Sequence, residues 1–150
     1  MKTIIVSGTP GTGKTTYAKS LAKEKKYLYL DVKAFIKKNN LSDGYNKEMD
    51  TEIIDIKKLN KALLNFLDEE NEKHTHGVVI DSHLSHYLPS SSVDKCIITK
   101  CHLPELKKRL SKRKYSNEKI RENLDAEIFD TCRIEALEAG HKVKVVRTDS

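Results

Sequence analysis

Apolar residues along this chain fall into two alternating kinds of run. Short continuous ones stand at 2–8 (KTIIVSG), 27–30 (YLYL), 77–81 (GVVID), 95–99 (KCIIT) and 143–146 (VKVV). Their length and β-branched content suit strands buried on both faces of a parallel sheet. Between them lie stretches with helical spacing, at about 14–24, 32–39, 55–71, 103–113 and 116–138. The third of these is the clearest: Leu59, Leu63, Leu64 and Leu67 recur at intervals that build one apolar face. Strands alternating with helices predict an α/β domain, a parallel sheet with helices on both sides. No internal repeat, linker or low-complexity segment interrupts the pattern, and LPSSS at 88–92 is the one evident loop. The tail VRTDS reads as a strand followed by residues suited to begin a helix. The expectation there is either a covering helix missing from this sequence or a natural end just short of one.

Composition narrows the class. At 150 residues the chain fits a single domain, 1–150, with one core. Hydrophobic residues make up 37% and charged residues 33%, which predicts a water-soluble globular protein with a densely charged surface. No apolar run approaches the roughly eighteen residues of a membrane span. The start, MKTIIVSG, goes from one lysine straight into a strand. It lacks the hydrophobic stretch and small-residue cleavage site of a secretory signal, so the expected location is the cytoplasm, or the nucleus in a eukaryote, without a membrane. A formal net charge of +6 suits polyanionic ligands such as nucleotides or RNA, and equally an ordinary lysine-rich surface. Cys96, Cys101 and Cys132 are odd in number and contain no C-x-x-C pair, which argues against a disulfide framework. Cys96, Cys101 and His102 match no usual zinc spacing.

Candidate chemistry begins at GTPGTGKT, Gly8 to Thr15, which fits G-x-x-x-x-G-K-[ST]. A random chain of this length would match roughly once in two hundred. Here the motif also follows a strand and opens a helix, the setting it requires. Glycines let the backbone N–H groups curl inward towards phosphate oxygens, and the helix dipole adds to the anion site. Lys14 is expected to reach the β- and γ-phosphates, the Thr15 hydroxyl to bind Mg2+, and Thr16 to sit near the α-phosphate.

Asp81 ends the third strand, at the edge where doubly wound sheets gather their ligands. It is the expected second anchor for Mg2+, acting through water. His83, two residues on, is a candidate for the catalytic site, since imidazole exchanges hydrogen bonds and protons near neutral pH. His86 completes a D-x-H-x-x-H spacing, although nothing else in the sequence supports a metal trio. LSDGYNKEMD, Leu41 to Asp50, reads locally as a turn between helices because of its Asp-Gly. LKKRLSKRKYSNEKIREN, Leu106 to Asn123, is dense in cations and breaks near KRKYS, which suggests a short lid over the phosphates. Arg109 and Arg113 are four apart and would project from one side of a helix.

Taken together, SGTPGTGKTT (7–16), LSDGYNKEMD with the later IID (53–55), VIDSH (79–83) and RLSKRKYSNEKIRENLDAEIF (109–129) resemble the small atypical adenylate kinases of the isoenzyme 6 type, found in archaea and eukaryotic nuclei. The resemblance runs along nearly the whole chain. It implies a P-loop kinase core with sheet order 2-3-1-4-5, a monophosphate-binding region at about 31–54 and a lid at about 112–122. It implies ATP contacts at Gly11, Thr12, Gly13, Lys14, Thr15, Thr16 and the lid residue Arg113. ATP and AMP would be the substrates. It further implies ATP hydrolysis and a part in small ribosomal subunit maturation, with a ribosomal protein of the uS11/S14 kind and ribosomal RNA as partners. Two positions depart from the family pattern. The first acceptor-region arginine aligns with Lys37 and a later one with Lys100, and no arginine precedes Arg109. Lysine keeps the charge but loses the planar two-pronged grip on phosphate.

The expected activity is phosphoryl transfer from ATP to AMP, with slower hydrolysis when water enters. The alternative is an ATP-driven assembly switch whose main task is to bind a ribosomal protein. A P-loop kinase acting on shikimate or a coenzyme precursor is a more distant reading, disfavoured by the DGY block and the D-x-H strand end.

Overall fold

The computed structural model describes residues 1–48 and 51–148. Met49 and Asp50 of the LSDGYNKEMD block, and Asp149 and Ser150 of the tail, lie outside the described residues. The elements are β1 (Lys2–Ser7), α1 (Lys14–Lys25), β2 (Leu28–Asp31), α2 (Val32–Lys38), β3 (Ser42–Asn46), β4 (Thr51–Ile54), α3 (Ile56–Glu72), β5 (Gly77–Asp81), β6 (Lys95–Lys100), α4 (Leu103–Lys112), α5 (Asn117–Ile128), α6 (Thr131–Glu138) and β7 (Val143–Arg147). Single 3-10 turns lie at Ser85–Tyr87 and Ser90–Ser92. No helix among the described residues is long and apolar enough to cross a membrane.

The five apolar runs become one parallel sheet, ordered β2-β5-β1-β6-β7. Counted among themselves along the chain, these strands run 2-3-1-4-5. The central strands β1 and β5 are buried on both faces, which is why their sequences are continuously apolar rather than alternating. One face sends Ile5, Val78, Ile80 and Ile98 against Leu59, Leu63 and Leu67 of α3 and Ala136 of α6. The other sends Ile4, Val6, Val79 and Ile97 against Ala18 and Ala22 of α1. Small residues on α1 let that helix lie close to the sheet, carrying the glycine loop with it. In register, Val6 pairs with Asp81 and Asp81 with Asp31, so the carboxyl ends of three strands form one edge.

Two features depart from the sequence expectation. Around the turn expected at 41–50, the described residues form a β-hairpin in which Ser42–Asn46 pairs antiparallel with Thr51–Ile54. Its residues are almost all exposed, so no buried face imprints a strand alternation on the sequence. The long helix expected at 116–138 is two helices. Asp130 breaks it in the left-handed region, φ 57°, and its carboxylate holds Lys100 at 2.7 Å and Arg133 beside it. A tertiary ion cluster, invisible to periodicity, stabilises the break. The expected lid, 112–122, consists of the end of α4, a turn with Lys114 at φ 57°, and the first half of α5. Ser116 caps that half by accepting from the Lys119 amide at 3.2 Å.

Candidate active site

β1 ends at Ser7, and the chain curls through the glycine loop into α1. Gly8 has φ +141°, and a Cβ there would lie 2.7 Å from the Thr99 carbonyl oxygen. Gly11 has φ +93°, and a Cβ there would meet Leu106 at 2.9 Å. A side chain at Gly8 would push the loop off the sheet edge, and at Gly11 the left-handed φ itself favours glycine. Within the loop, the Thr12 hydroxyl donates to the Thr9 carbonyl at 2.6 Å and shares a 2.8 Å hydrogen bond with Thr99. The Thr12 amide also donates to Thr9. Through these bonds the polar groups of Thr12 shape the loop. The first-turn amides of α1, at Lys14, Thr15 and Thr16, have no place in the helix's own ladder and suit an anion.

The Lys14 ammonium donates to the Thr9 carbonyl at 3.2 Å. Lost hydration lowers its pKa to about 8, against the attraction of nearby Asp81. Lys14 itself is half-buried. Asp81 is 4% exposed and closes β5. Its Oδ2 accepts two hydrogen bonds, from the Thr15 hydroxyl and the Tyr29 hydroxyl, each at 2.7 Å. Burial first, and then this bond, push the Tyr29 phenol above its ordinary pKa. Thr15 and Asp81 form a hard-oxygen pair beside Lys14. That donor set fits Mg2+, whose remaining ligands come from water and phosphate.

These groups open onto a cleft of about 1050 Å³. His83 lines it from the loop after β5. Its pKa is pushed down to about 3, first by lost hydration and then by the positive charge of Lys14. The residue is exposed at the cleft wall, so burial acts on it only in part, and the neighbouring Lys14 charge also disfavours its protonated form, leaving a neutral imidazole on the cleft. His86 lies deeper and is buried. Its Nδ1 shares a 2.7 Å hydrogen bond with Ser7 Oγ, and its Nε2 stands 3.5 Å from Glu135. The D-x-H-x-x-H spacing does not assemble: among the described residues no three His, Cys, Asp or Glu side chains come together as metal ligands.

The lid arginines part company. Arg113 lines the cleft. Arg109 instead turns behind the loop, donating to the Gly11 carbonyl at 3.4 Å and the Thr148 carbonyl at 3.0 Å. The expectation of a paired lid contact is corrected in this respect. Lys37 is also displaced from its expected place. It borders an adjoining open groove, while Lys33, one turn earlier on α2, reaches the main cleft. Lys100 is bound to Glu127 and Asp130 and lies away from the cleft lining.

Sequence reasoning missed Tyr29, Lys33, Asn123 and Glu127. Tyr29 was hidden inside an apolar strand. Lys119, Asn123 and Glu127 are spaced four apart on α5, a stripe that helical periodicity could have found. The hairpin contributes Tyr45 and Glu52, paired across its two strands.

Comparison with known proteins adds the kinship of the chain. The family described as "AAA domain" matches residues 4–130. The chain is 37% identical to a protein of Methanosarcina mazei described as "Putative adenylate kinase", over 95% of this chain and 76% of that protein. It is 35% identical to one of Methanocaldococcus jannaschii with the same description, over 97% and 78%. Solved structures that share the fold include a sugar kinase from Janibacter, with TM-score 0.64 and 21% identity over 98% of this chain and 85% of that one. Another is the shikimate kinase of Acinetobacter baumannii, with TM-score 0.65 and 14% identity over 100% and 85%. The glycine loop, the Thr15–Asp81 pair and this kinship along nearly the whole length lead to one conclusion: the chain belongs to the atypical small adenylate kinase family.

Proposed function

We propose that this protein transfers the γ-phosphoryl group of ATP to AMP, giving two molecules of ADP. The observation that carries the reading is the Lys14–Thr15–Asp81 cluster, which faces across one cleft towards Lys33 and Arg113. Lys14 would hold the β- and γ-phosphates, and the first-turn amides of α1 would cradle them. Bound Mg2+, held at Thr15 and through water at Asp81, would neutralise charge on the phosphate oxygens. Arg113 would close the cationic ring from the lid. Lys33 would hold the acceptor phosphate. The AMP phosphate is already an anion, so no side chain has to remove a proton from it.

Slow hydrolysis is a second reading, favoured by His83. A neutral imidazole on the cleft wall can accept a hydrogen bond from water, the poorer nucleophile. A role as an ATP-driven switch in small-subunit assembly, bound to a ribosomal protein or RNA, rests on family resemblance alone.

The deciding experiment measures ATP consumption with and without AMP and separates ADP from free phosphate. AMP-dependent ADP formation without phosphate release supports the kinase. Phosphate release indifferent to AMP would replace it with a hydrolase.

A further inference from the structure

We propose that Asn123 is a nucleotide-contacting residue, its side-chain amide donating to the terminal phosphate of the bound triphosphate from the α5 wall. The inference rests on the ATP reading above and names a contact within that site.

Lys119, Asn123 and Glu127 are each four residues apart on α5, so they stand one above another on one face, about 6 Å per step along the axis. The foot of this stripe is fixed to the phosphate loop. Glu127 is buried, and its Oε1 accepts from the Thr9 hydroxyl at 3.2 Å. Its Oε2 accepts from the Cys101 amide at 2.9 Å. Thr9 is also where Lys14 now rests, through the 3.2 Å bond to its carbonyl. The loop lysine and the base of the α5 stripe thus meet at a single residue. One turn up, Asn123 lines the same cleft. The next turn brings Lys119 to the cleft wall, 4.0 Å from the centre of the Tyr115 ring.

The second observation concerns the amide itself. Asn123 Nδ2 is buried and has no hydrogen-bond partner. Buried donors nearly always have one, and the residue that carries this one stands on the cleft wall, from which a turn of its side chain would present the amide to a ligand. His86 Nε2 is buried and unpartnered too, but Glu135 stands 3.5 Å away to receive it. Asn123 instead borders a cleft already supplied with Lys14, Arg113 and Lys119. What such a cleft takes is a polyanion, and a phosphate oxygen is the acceptor the amide lacks. Further charge is not what the site needs from this position. A neutral, planar donor supplies direction, fixing the terminal phosphate against Lys14. Glu122 also borders the cleft, from the exposed side of the helix.

The test compares affinities of the intact protein, with Mg2+, for ADP and for the non-hydrolysable β,γ-methylene analogue of ATP, by titration calorimetry. Asn123→Ala should weaken the analogue about tenfold, the loss expected for one hydrogen bond to a charged group. It should leave ADP unchanged. Asn123→Asp, which sets a carboxylate against the phosphate, should weaken the analogue further and again spare ADP. A general structural role would weaken both ligands alike. Equal losses, or none, overturn the proposal. If Asn123→Ala fails to fold, Asn123→Ser carries the same comparison. A wild-type protein that binds neither nucleotide would overturn the ATP reading and this inference together. A wild type that binds both, with variants that bind both equally well, would overturn this inference alone.

Discussion

Tyr29 donates a 2.7 Å hydrogen bond to Oδ2 of Asp81, the same oxygen that receives the Thr15 hydroxyl. A strand residue that pattern alone assigns to the core thus orients the carboxylate expected to anchor the metal. The ring itself is held from outside, with the Lys19 ammonium 5.7 Å from its centre. Tyr29→Phe keeps the ring and removes the donor. It should raise the Mg2+ concentration needed for half-maximal turnover several-fold, with a smaller effect at saturating Mg2+. Metal-free ATP binding, followed by calorimetry, should be nearly unchanged. A variant with the wild-type Mg2+ requirement would show that Thr15 suffices to orient Asp81.

Lys14→Ala should abolish ATP turnover, because loss of one preorganised donor costs about 3–4 kcal/mol at the transition state. Wild-type turnover in this variant would sink the nucleotide reading.

The lowered Lys14 pKa, about 8 against an ordinary 10.5, has a signed consequence. Between these values the unfolded chain binds a proton that the folded one does not. The cost of burying the charge is therefore full below about pH 8, and stability rises as pH climbs towards 10.5. Phosphates beside Lys14 favour its charged form, so ATP binding above pH 8 should take up a proton. Calorimetry in buffers of different ionisation enthalpy reads this directly. No uptake at pH 9 would place the ammonium away from the phosphates.

His83→Ala should lower ATP hydrolysis by roughly one to a few powers of ten, as loss of a general acid–base group does, and AMP phosphorylation much less. With its pKa depressed to about 3, His83 is neutral from pH 5 to 8. Hydrolysis should accordingly show no histidine titration in that range. Equal loss of both activities would instead give His83 a part in holding the shared site.

On α2, Lys33 borders the cleft and Lys37 the neighbouring groove. Lys33→Ala should raise the Michaelis constant for AMP while leaving that for ATP in place, and Lys37→Arg should change neither. An AMP effect confined to Lys37 would reverse this assignment.

Glu127 joins Thr9, Lys100 and the Cys101 amide in a buried cluster. Removing it strands these partners, with Asp130 still holding Lys100. Glu127→Ala should therefore destabilise the fold by about 3 kcal/mol, near the lower end for breaking a buried ion pair. Urea unfolding with an unchanged slope measures it. A midpoint equal to the wild type's would mean that water replaces the carboxylate at no cost.

The parallel sheet was legible because its central strands are buried on both faces, and continuous apolar runs such as IIV and VVI write that burial into the sequence. The glycine loop was legible because a backbone curled this tightly admits only glycine at Gly8 and Gly11. Asp81 could be found because it ends a strand, and strand ends are where such sheets gather ligands. The exposed hairpin could not be read, since it buries no face. The break at Asp130 could not be read either, since its partner Lys100 lies thirty residues away. The same holds for the side chains around the chemistry. Whether Lys33 or Lys37 enters the cleft depends on how α2 is rotated against the sheet. Whether Arg109 faces the phosphates or the back of the loop depends on Thr148, far along the chain. Sequence spacing sets which residues share a face of one element. Only packing between elements decides what that face meets.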